Sequence, residues 1–212
     1  IGVAVIMRSI VGRRIQDGVY RHVCERTDPA GRARWADFVA LPTEQIENLN
    51  LGAYRLDGLI VGITDLALQQ AVQALNIPTV NVSGALARPR FATISVDNYL
   101  VGEAAARYFL ERGYRHFFFA STPVRNAYAE QRGRGYVAQL NSAGFEVHWI
   151  GEESRVTKGV THHSGTGVGP LSTAPKPVAL FAADDGVAAT LHAAVTGLGL
   201  NVPDQVAILG VN

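Results

Sequence analysis

Polar and charged side chains recur in this sequence directly after short apolar stretches, where strands are predicted to end. Carboxylates and amides can pair with two hydroxyl groups, and a guanidinium donates several hydrogen bonds in a fixed plane. This chemistry suits a buried ligand with many hydroxyl groups. The set comprises residues 8–13 with Arg13 among them, Asp65, Asp97, Arg132, Asp185 and Asn212.

Each of these residues also has a simpler interpretation. Asp97, Asp184 and Asp185 are well placed to cap helices, because an aspartate side chain accepts hydrogen bonds from the first backbone N–H groups of a helix. Arg13 could simply be solvated. Both interpretations stay open for each residue at this point.

Catalytic and metal-binding motifs are missing from the sequence, which predicts no metal, no cofactor and no enzyme. There is no nucleophile elbow, HExxH pair, paired-cysteine spacing or P-loop. The run Gly165–Gly169 resembles a dinucleotide-binding loop, but no strand is predicted before it and no helix after it, so a flexible loop is the preferred interpretation. His162 and His163 could touch a metal, although such a pair in a polar loop is usually solvated.

Composition fits a soluble globular protein of one large or two small domains. Of the 212 residues, 48% are hydrophobic and 17% are charged, and the net charge of +1 lacks the basic excess of a nucleic-acid surface. The single cysteine, Cys24, cannot form an internal disulfide and is predicted to be a buried, inert thiol. No apolar run is long enough for a membrane helix and no signal peptide precedes the first strand, so we expect a cytoplasmic protein without membrane contact.

The first half of the sequence repeats a strand followed by a helix four times. This alternation is typical of a parallel sheet covered by helices on both faces. Strands are predicted at 1–7, 35–41, 57–61 and 79–82, and helices begin after Gly12, Thr43 and Asp65. In the third helix, Leu68, Ala71, Val72 and Leu75 form the apolar face.

The stretch 94–122 is predicted to join two similar lobes. A short strand at Ile94–Val96 precedes a helix that Asp97 or Asn98 caps and Gly113 ends. Within this helix, an apolar face is expected at Val101, Ala104, Ala105 and Tyr108.

The second half follows the same scheme, with one exception. Residues 151–176 are rich in Gly, Ser and Thr without the helical period of the expected crossover helix, so either a long loop lies there or part of the natural sequence is missing at this point. The predicted strands are 117–120, 145–150, 178–182 and 206–210, and the predicted helices are 128–143, closed by Gly144, and 184–198, with Val187, Leu191 and Leu198 inward. Because the sequence stops directly after the last strand, we expect a chain truncated at its C-terminus.

These elements predict an α/β fold of two doubly wound, Rossmann-like lobes joined by a hinge. Residues 1–115 form the predicted N-terminal lobe and residues 116–212 an incomplete C-terminal lobe. In such sheets ligands bind outside the carboxyl ends of the strands, so the polar set above is expected to line a cleft between the lobes.

Several motifs resemble the effector-binding domain of the lac repressor family, which has a type I periplasmic-binding-protein-like fold. The Arg-x-x-Gly-aromatic signature appears at 132–136, and residues 12–19 look most like the xylose-operon regulators. The other matching stretches are 95–99, 112–116, 181–185, 202–204 and 207–212.

The resemblance implies ligand contacts at Arg13, Asp97, Arg132, Asp185 and Asn212. Asp65 is added only because it follows a predicted strand. Where this chain has Asn212, the family usually has an aspartate, so the preferred sugar can differ.

The function implied by the resemblance is sugar sensing in a DNA-binding transcription regulator. A small sugar, with a xylose-like pentose favoured, would close the lobes and change the position of a DNA-binding module that this chain does not contain. That module is a C-terminal helix-turn-helix unit in the xylose branch, and a homodimer is expected by analogy. Two alternatives stay open: a periplasmic-type sugar-binding transport protein and, with less support, an enzyme on a Rossmann-like fold.

Overall fold

The computed structural model describes residues 1–4, 10–25, 30, 39–41, 54, 56–151, 158–164 and 168–211. The chain divides into two compact units, Ile1–Val96 and Asp97–Asn212. This division lies ahead of the boundary expected at residue 115. The helix that starts at Asn98 belongs to the second unit, because Ala105, Ala106 and Phe109 are buried in that unit's core.

The first unit contains a five-stranded parallel sheet. Its strand order is β2-β1-β3-β4-β5, so the chain winds outward in both directions from the pair β1 and β3. The strands are β1 Gly2–Ala4, β2 Val39–Ala40, β3 Leu59–Val61, β4 Thr79–Asn81 and β5 Ala92–Thr93, and the helices are α1 Ile10–Glu25 and α2 Leu66–Ala74.

Most first-unit predictions are confirmed where the structure describes them. The core consists of Leu41, Leu59, Val61, Ile63, Leu68 and Val72. The helix predicted after Thr43 lies outside the described residues, as do parts of the strands predicted at 1–7 and 35–41. In α2, Ala71 is exposed, although it was predicted on the apolar face.

Two predictions in the first unit are wrong. The strand expected at Ile94–Val96 occurs at β5 instead, and Ile94 is 68% exposed. The last described backbone bond from this segment to β4 is donated by the Ile94 N–H to the carbonyl of Asn81, where β4 also ends. Cys24 is partly exposed rather than buried.

The second unit contains another five-stranded parallel sheet, in the order β10-β9-β6-β7-β8. Chain order thus runs outward from β6 on one side and from β9 on the other, which confirms the doubly wound α/β prediction. The strands are β6 His116–Ala120, β7 Val147–Ile150, β8 Val160–His163, β9 Val178–Ala182 and β10 Val206–Leu209, and the helices are α3 Asn98–Glu111, α4 Ala127–Ser142, α5 Gly169–Thr173 and α6 Asp185–Gly197.

The second sheet is buried on both faces, which explains its continuous apolar strands. Phe117 and Phe119 of β6 pack on one face with residues of α3 and α4. Phe118 packs on the other face, together with residues of α5 and α6. Successive side chains of a strand point to opposite faces, so the run of three phenylalanines serves two cores.

The prediction of a long loop over 151–176 is wrong, because this segment contains β8 and α5. The strand Val160–His163 lies at the edge of the sheet and carries polar side chains at Thr161, His162 and His163, so it lacks the apolar pattern of an inner strand. Consequently a strand does precede the glycine run that ends at Gly169, and a short helix does follow it.

The buried faces of two helices also differ from prediction. In α3, Ala104 and Tyr108 are exposed, and the buried positions are Asn98, Gly102, Ala105, Ala106 and Phe109. The reason is that α3 packs tightly on α4 through Gly102. In α6, Leu198 follows the last turn and is exposed, and Val195 is buried instead.

Two of the three predicted aspartate caps are confirmed: Asp97 and Asp184 precede α3 and α6 and accept backbone N–H groups of those helices, whereas Asp185 is the first residue of α6. Asp65, which was predicted only as a ligand contact, caps α2 in the same way. Gly113 has φ +80°, and the next residue returns its N–H to the carbonyl of Phe109, a geometry that favours glycine. In the part of the chain that is described, no helix has the length and apolarity to cross a membrane.

Candidate functional site

The second sheet has its topological switch point between β6 and β9. These neighbouring strands end at Ala120 and Ala182, and the chain leaves them toward helices that cover opposite faces. Ligands of open α/β sheets bind at the carboxyl ends of strands beside such a point, because the two connections diverge and leave a crevice. The side chains around this edge therefore define the candidate site.

Arg132 is the buried cation at this edge. It lies on α4 and is 8% exposed. Its Nε donates to Asn98 Oδ1 at 2.8 Å and its Nη1 donates to the carbonyl of Ala183 at 2.6 Å. These bonds use two of the five guanidinium N–H groups, so the side chain can still donate to a ligand.

Burial lowers the pKa of Arg132, and the nearby Asp184 and Asp185 carboxylates act in the opposite direction. Since the ordinary pKa of arginine is far above neutral, the group keeps its charge at physiological pH. The site therefore presents a fixed positive donor beside acidic neighbours.

Two glycines allow Asn98 to reach Arg132. A Cβ atom at Gly102 of α3 would overlap the Arg132 carbonyl oxygen, and one at Gly135 of α4 would overlap the Tyr99 carbonyl oxygen. The two helices thus approach until their backbones touch. The glycine of the Arg-x-x-Gly signature is a packing residue, and it places the arginine of the same signature beside α3.

Tyr128 connects the starts of α4 and α6. Its hydroxyl donates to Asp184 Oδ2 at 3.0 Å, and the Arg132 guanidinium lies 5.1 Å from the centre of its ring. Burial and the Asp184 carboxylate raise the pKa of Tyr128 to about 12, so the hydroxyl keeps its proton. Tyr128 was not among the residues predicted from the sequence to form the site.

Asp184 and Asp185 have different roles. Asp184 Oδ1 accepts the Val187 N–H at 2.8 Å, which confirms that Asp184 caps α6. Asp185 is the first residue of this helix and is exposed. Its carboxylate lies beside Gly210, where a Cβ atom would overlap Oδ1. Asp185 is therefore available at the edge, and its ligand contact remains a prediction.

Asp97 is also a helix cap at this edge. Its Oδ1 accepts the N–H groups of Tyr99 and Leu100, each at 3.1 Å. Asp97 directly precedes Asn98, so the cap of α3 and the partner of Arg132 are adjacent in the chain. Asn212, the last predicted contact, lies outside the described residues.

The two predicted contacts of the first unit differ from those of the second. Asp65 uses both carboxylate oxygens within its own unit, accepting the Leu68 N–H at 2.9 Å and the Thr64 hydroxyl at 3.1 Å. These bonds make it the cap of α2. Arg13 lies in α1, which begins at Ile10 rather than at Gly12, and its side chain is exposed.

Histidines of the second sheet form a pair instead of lying in a loop. His163 Nε2 on β8 is 3.1 Å from His148 Nδ1 on β7, and His148 stacks on Phe118. Burial and the neighbouring His163 lower the pKa of His148. Among the described residues no group of three or more His, Cys, Asp or Glu could hold a metal ion.

Comparison with known families identifies the class of protein. Residues 106–212, half of the chain, match the family described as periplasmic binding protein-like domain. The chain belongs to this family.

The most similar characterised proteins include transcription regulators. The HTH-type transcriptional repressor PurR of Serratia proteamaculans is 28% identical over 169 residues, which cover 76% of this chain and 48% of the repressor. The xylose operon regulatory protein of Escherichia coli K12 is 25% identical over 174 residues, which cover 74% of this chain and 41% of that protein. The chain thus spans about half the length of the curated relatives it matches.

Solved structures show the same fold. A LacI family transcriptional regulator from Mycobacterium smegmatis has a TM-score of 0.70 at 20% identity, with 100% of this chain and 77% of that one covered. The transcription regulator CcpA of Lactococcus lactis has a TM-score of 0.68 at 15% identity, with 99% and 78% covered. These findings confirm the resemblance to effector-binding domains of the lac repressor family. The identities of 28% and 25% do not single out the xylose branch.

Proposed function

We propose that this chain is the sugar-sensing part of a transcription regulator and binds a small sugar at the carboxyl edge of its second sheet. The observation that carries the proposal is Arg132, a buried cation at the switch point with donors left after its two protein bonds. Asp185 supplies an exposed carboxylate at the same edge. A guanidinium and a carboxylate together can hold adjacent hydroxyl groups, since one donates and the other accepts.

A pentose is the favoured ligand. Two solved structures of similar fold contain five-carbon sugars: a LacI family regulator from Enterococcus faecalis with bound ribose and a periplasmic binding protein/LacI regulator from Alkaliphilus metalliredigens complexed with D-xylulofuranose. The curated relatives include regulators named for the xylose and ribose operons. We propose a xylose-like pentose on this basis.

Regulation is favoured over the alternative function, periplasmic sugar transport, because the similar curated proteins are named as regulators. In our proposal, sugar binding is transmitted to a DNA-binding module outside this chain, and the regulator acts in the cytoplasm as a homodimer. The binding edge holds its ligand and performs no reaction on it.

Isothermal titration calorimetry with D-xylose and D-ribose tests this function. We expect at least one of the two pentoses to bind at a single site per chain, with xylitol, the open-chain five-carbon polyol, as a control that binds more weakly. If neither pentose binds to a chain that unfolds cooperatively, the sugar-sensing proposal is wrong.

A further inference from the structure

Arg132 lies close to Asp184 without forming an ion pair with it. The two described bonds of Arg132 go to Asn98 and to the Ala183 carbonyl. Both oxygens of Asp184 have other donors, namely the Val187 N–H and the Tyr128 hydroxyl. This arrangement matters because arginine–carboxylate pairs are frequently bidentate, and such a pair would occupy two of the guanidinium N–H groups.

We propose that Tyr128 is a positioning residue that prevents Asp184 from capturing Arg132. Its hydroxyl occupies Asp184 Oδ2, so the guanidinium keeps its bonds to α3 and to the end of β9, and its remaining N–H groups stay available to a ligand. The part of this inference that concerns the ligand rests on the proposed function. The part that concerns the orientation of Arg132 is independent of that function.

The position of Asp184 is fixed by its role as a cap. Oδ1 is held by the first turn of α6, so only Oδ2 can change partner. A carboxylate oxygen in a half-buried site needs a donor, because leaving it without one costs free energy. If the tyrosine hydroxyl is removed, Arg132 is a charged donor available to replace it, because its guanidinium lies 5.1 Å from the centre of the same tyrosine ring and the Asp184 carboxylate already raises its pKa.

Tyr128 contacts Arg132 through its ring as well as Asp184 through its hydroxyl, and a substitution can separate these two contacts. Its ring lies below the guanidinium and attracts the cation through its π face. Phenylalanine keeps this face and removes only the hydroxyl. Tyr128→Phe therefore isolates the bond to Asp184, and any change in Arg132 follows from that bond.

A double-mutant cycle tests the proposal. Asparagine caps a helix as well as aspartate does but lacks the charge that would attract arginine. We expect the Tyr128→Phe step to weaken pentose binding about fivefold or more when residue 184 is aspartate, and less than about twofold in the Asp184→Asn background. If Asp184→Asn alone changes the affinity by less than about twofold, the double variant should bind the pentose more tightly than Tyr128→Phe alone.

Tyr108 supplies a matched control. It is an exposed tyrosine of α3 with the Arg112 guanidinium 3.5 Å from its ring centre, and it lies outside the site. Tyr108→Phe removes a tyrosine hydroxyl beside an arginine and should leave the affinity unchanged. Equal weakening by Tyr128→Phe in both residue-184 backgrounds would show that Tyr128 only connects two helices, and would overturn the proposal.

An NMR measurement separates this inference from the proposed function. The Arg132 Nε–H bonded to Asn98 should give a protected signal in the unliganded protein, which Tyr128→Phe shifts or broadens and the added Asp184→Asn restores. If no pentose binds but this pattern appears, the function is wrong and the positioning role stands. An Nε–H signal that does not respond to Tyr128→Phe contradicts the positioning role, whatever the sugar result.

Discussion

Two buried polar residues, one in each unit, lie near the carboxyl ends of strands and use their hydrogen-bonding groups differently. Asn81 ends β4 and has no exposed surface. Its Oδ1 accepts the N–H groups of Ile63 and Ser83, and its Nδ2 donates to the Ser83 carbonyl and the Thr93 hydroxyl. These four bonds use both acceptor positions and both N–H donors of the asparagine side chain, so it can make no further hydrogen bond.

Arg132 in the second unit retains hydrogen-bond donors that a ligand can use. It donates two of five possible hydrogen bonds to the described protein, and it is held in place by its neighbours. The comparison shows that location at a strand end does not make a residue a ligand group. A residue whose hydrogen-bonding groups are all used by the protein has a structural role. A residue that the protein holds in place while some of its donors have no protein partner can bind a ligand.

Loss of Asn81 should have the largest effect on stability. Asn81→Ala leaves the buried N–H of Ile63 and that of Ser83 without their acceptor, and each such loss costs about 1–3 kcal/mol. We expect the free energy of unfolding to fall by about 3 kcal/mol in urea denaturation.

Asn201→Ala is the control for Asn81, because Asn201 is exposed and the described bonds at this residue are made by its backbone. Its free energy of unfolding should change by less than about 0.5 kcal/mol. A similar, small change for both asparagines would contradict the structural role of Asn81.

The close approach of α3 and α4 can be broken by a single methyl group. Gly135→Ala places a Cβ against the Tyr99 carbonyl, and overpacking of this kind costs about 1–3 kcal/mol. We expect a lower melting temperature by calorimetry, together with weaker pentose binding because Asn98 moves away from Arg132.

Gly197→Ala is the matched control for Gly135. Gly197 is the last residue of α6, and a Cβ there meets no atom within 4 Å. Its melting temperature should stay the same or rise slightly, since alanine favours helix. If Gly135→Ala is tolerated equally well, the helices do not depend on this contact.

Tyr136 is the opposite case to Asn81, because its buried polar group is not bonded by the described residues. Its hydroxyl is buried and has no hydrogen-bond partner within the described parts of the chain, and burial raises its pKa well above the ordinary value. Removing an unsatisfied hydroxyl avoids its desolvation cost, so Tyr136→Phe should leave stability unchanged or raise it by up to about 1 kcal/mol. A clear loss of stability in denaturant would show that this hydroxyl has a partner.

Asp185 should affect binding with almost no effect on stability. Because Asp184 is the cap of α6, Asp185→Asn removes only the charge of an exposed carboxylate. We expect a melting temperature within about 1 °C of the original and several-fold weaker pentose binding. A large drop in melting temperature with intact affinity would assign Asp185 to the helix start and place the ligand elsewhere.

Much of the fold was predictable because it depends on local patterns. The apolar runs at 117–120 and 178–182 predicted inner strands of a parallel sheet, and the aspartates at 65, 97 and 184 predicted helix starts. The edge strand Val160–His163 was missed because Thr161, His162 and His163 are not apolar, which leaves Val160 as the one apolar residue of the strand and its contact with the core.

The candidate site was only partly predictable, because its key bonds join residues far apart in sequence. Arg132 and Asn98 are 34 residues apart, and Tyr128 and Asp184 are 56 apart. Motif resemblance selected Arg132 as a ligand contact, but it did not predict that Asn98 and the Ala183 carbonyl would hold it. The helix glycines Gly102 and Gly135 were the available signal, since glycine is rare inside helices unless two backbones meet.

The central claim is that Arg132 binds the ligand with donors that the protein leaves unused. Isothermal titration calorimetry of Arg132→Lys, with D-xylose and D-ribose, tests it most directly. Lysine keeps the positive charge but loses the planar set of donors, so we expect affinity to fall by about tenfold or more, close to the cost of a charge-assisted hydrogen bond. Unchanged pentose affinity in a cooperatively folded Arg132→Lys protein would contradict the account.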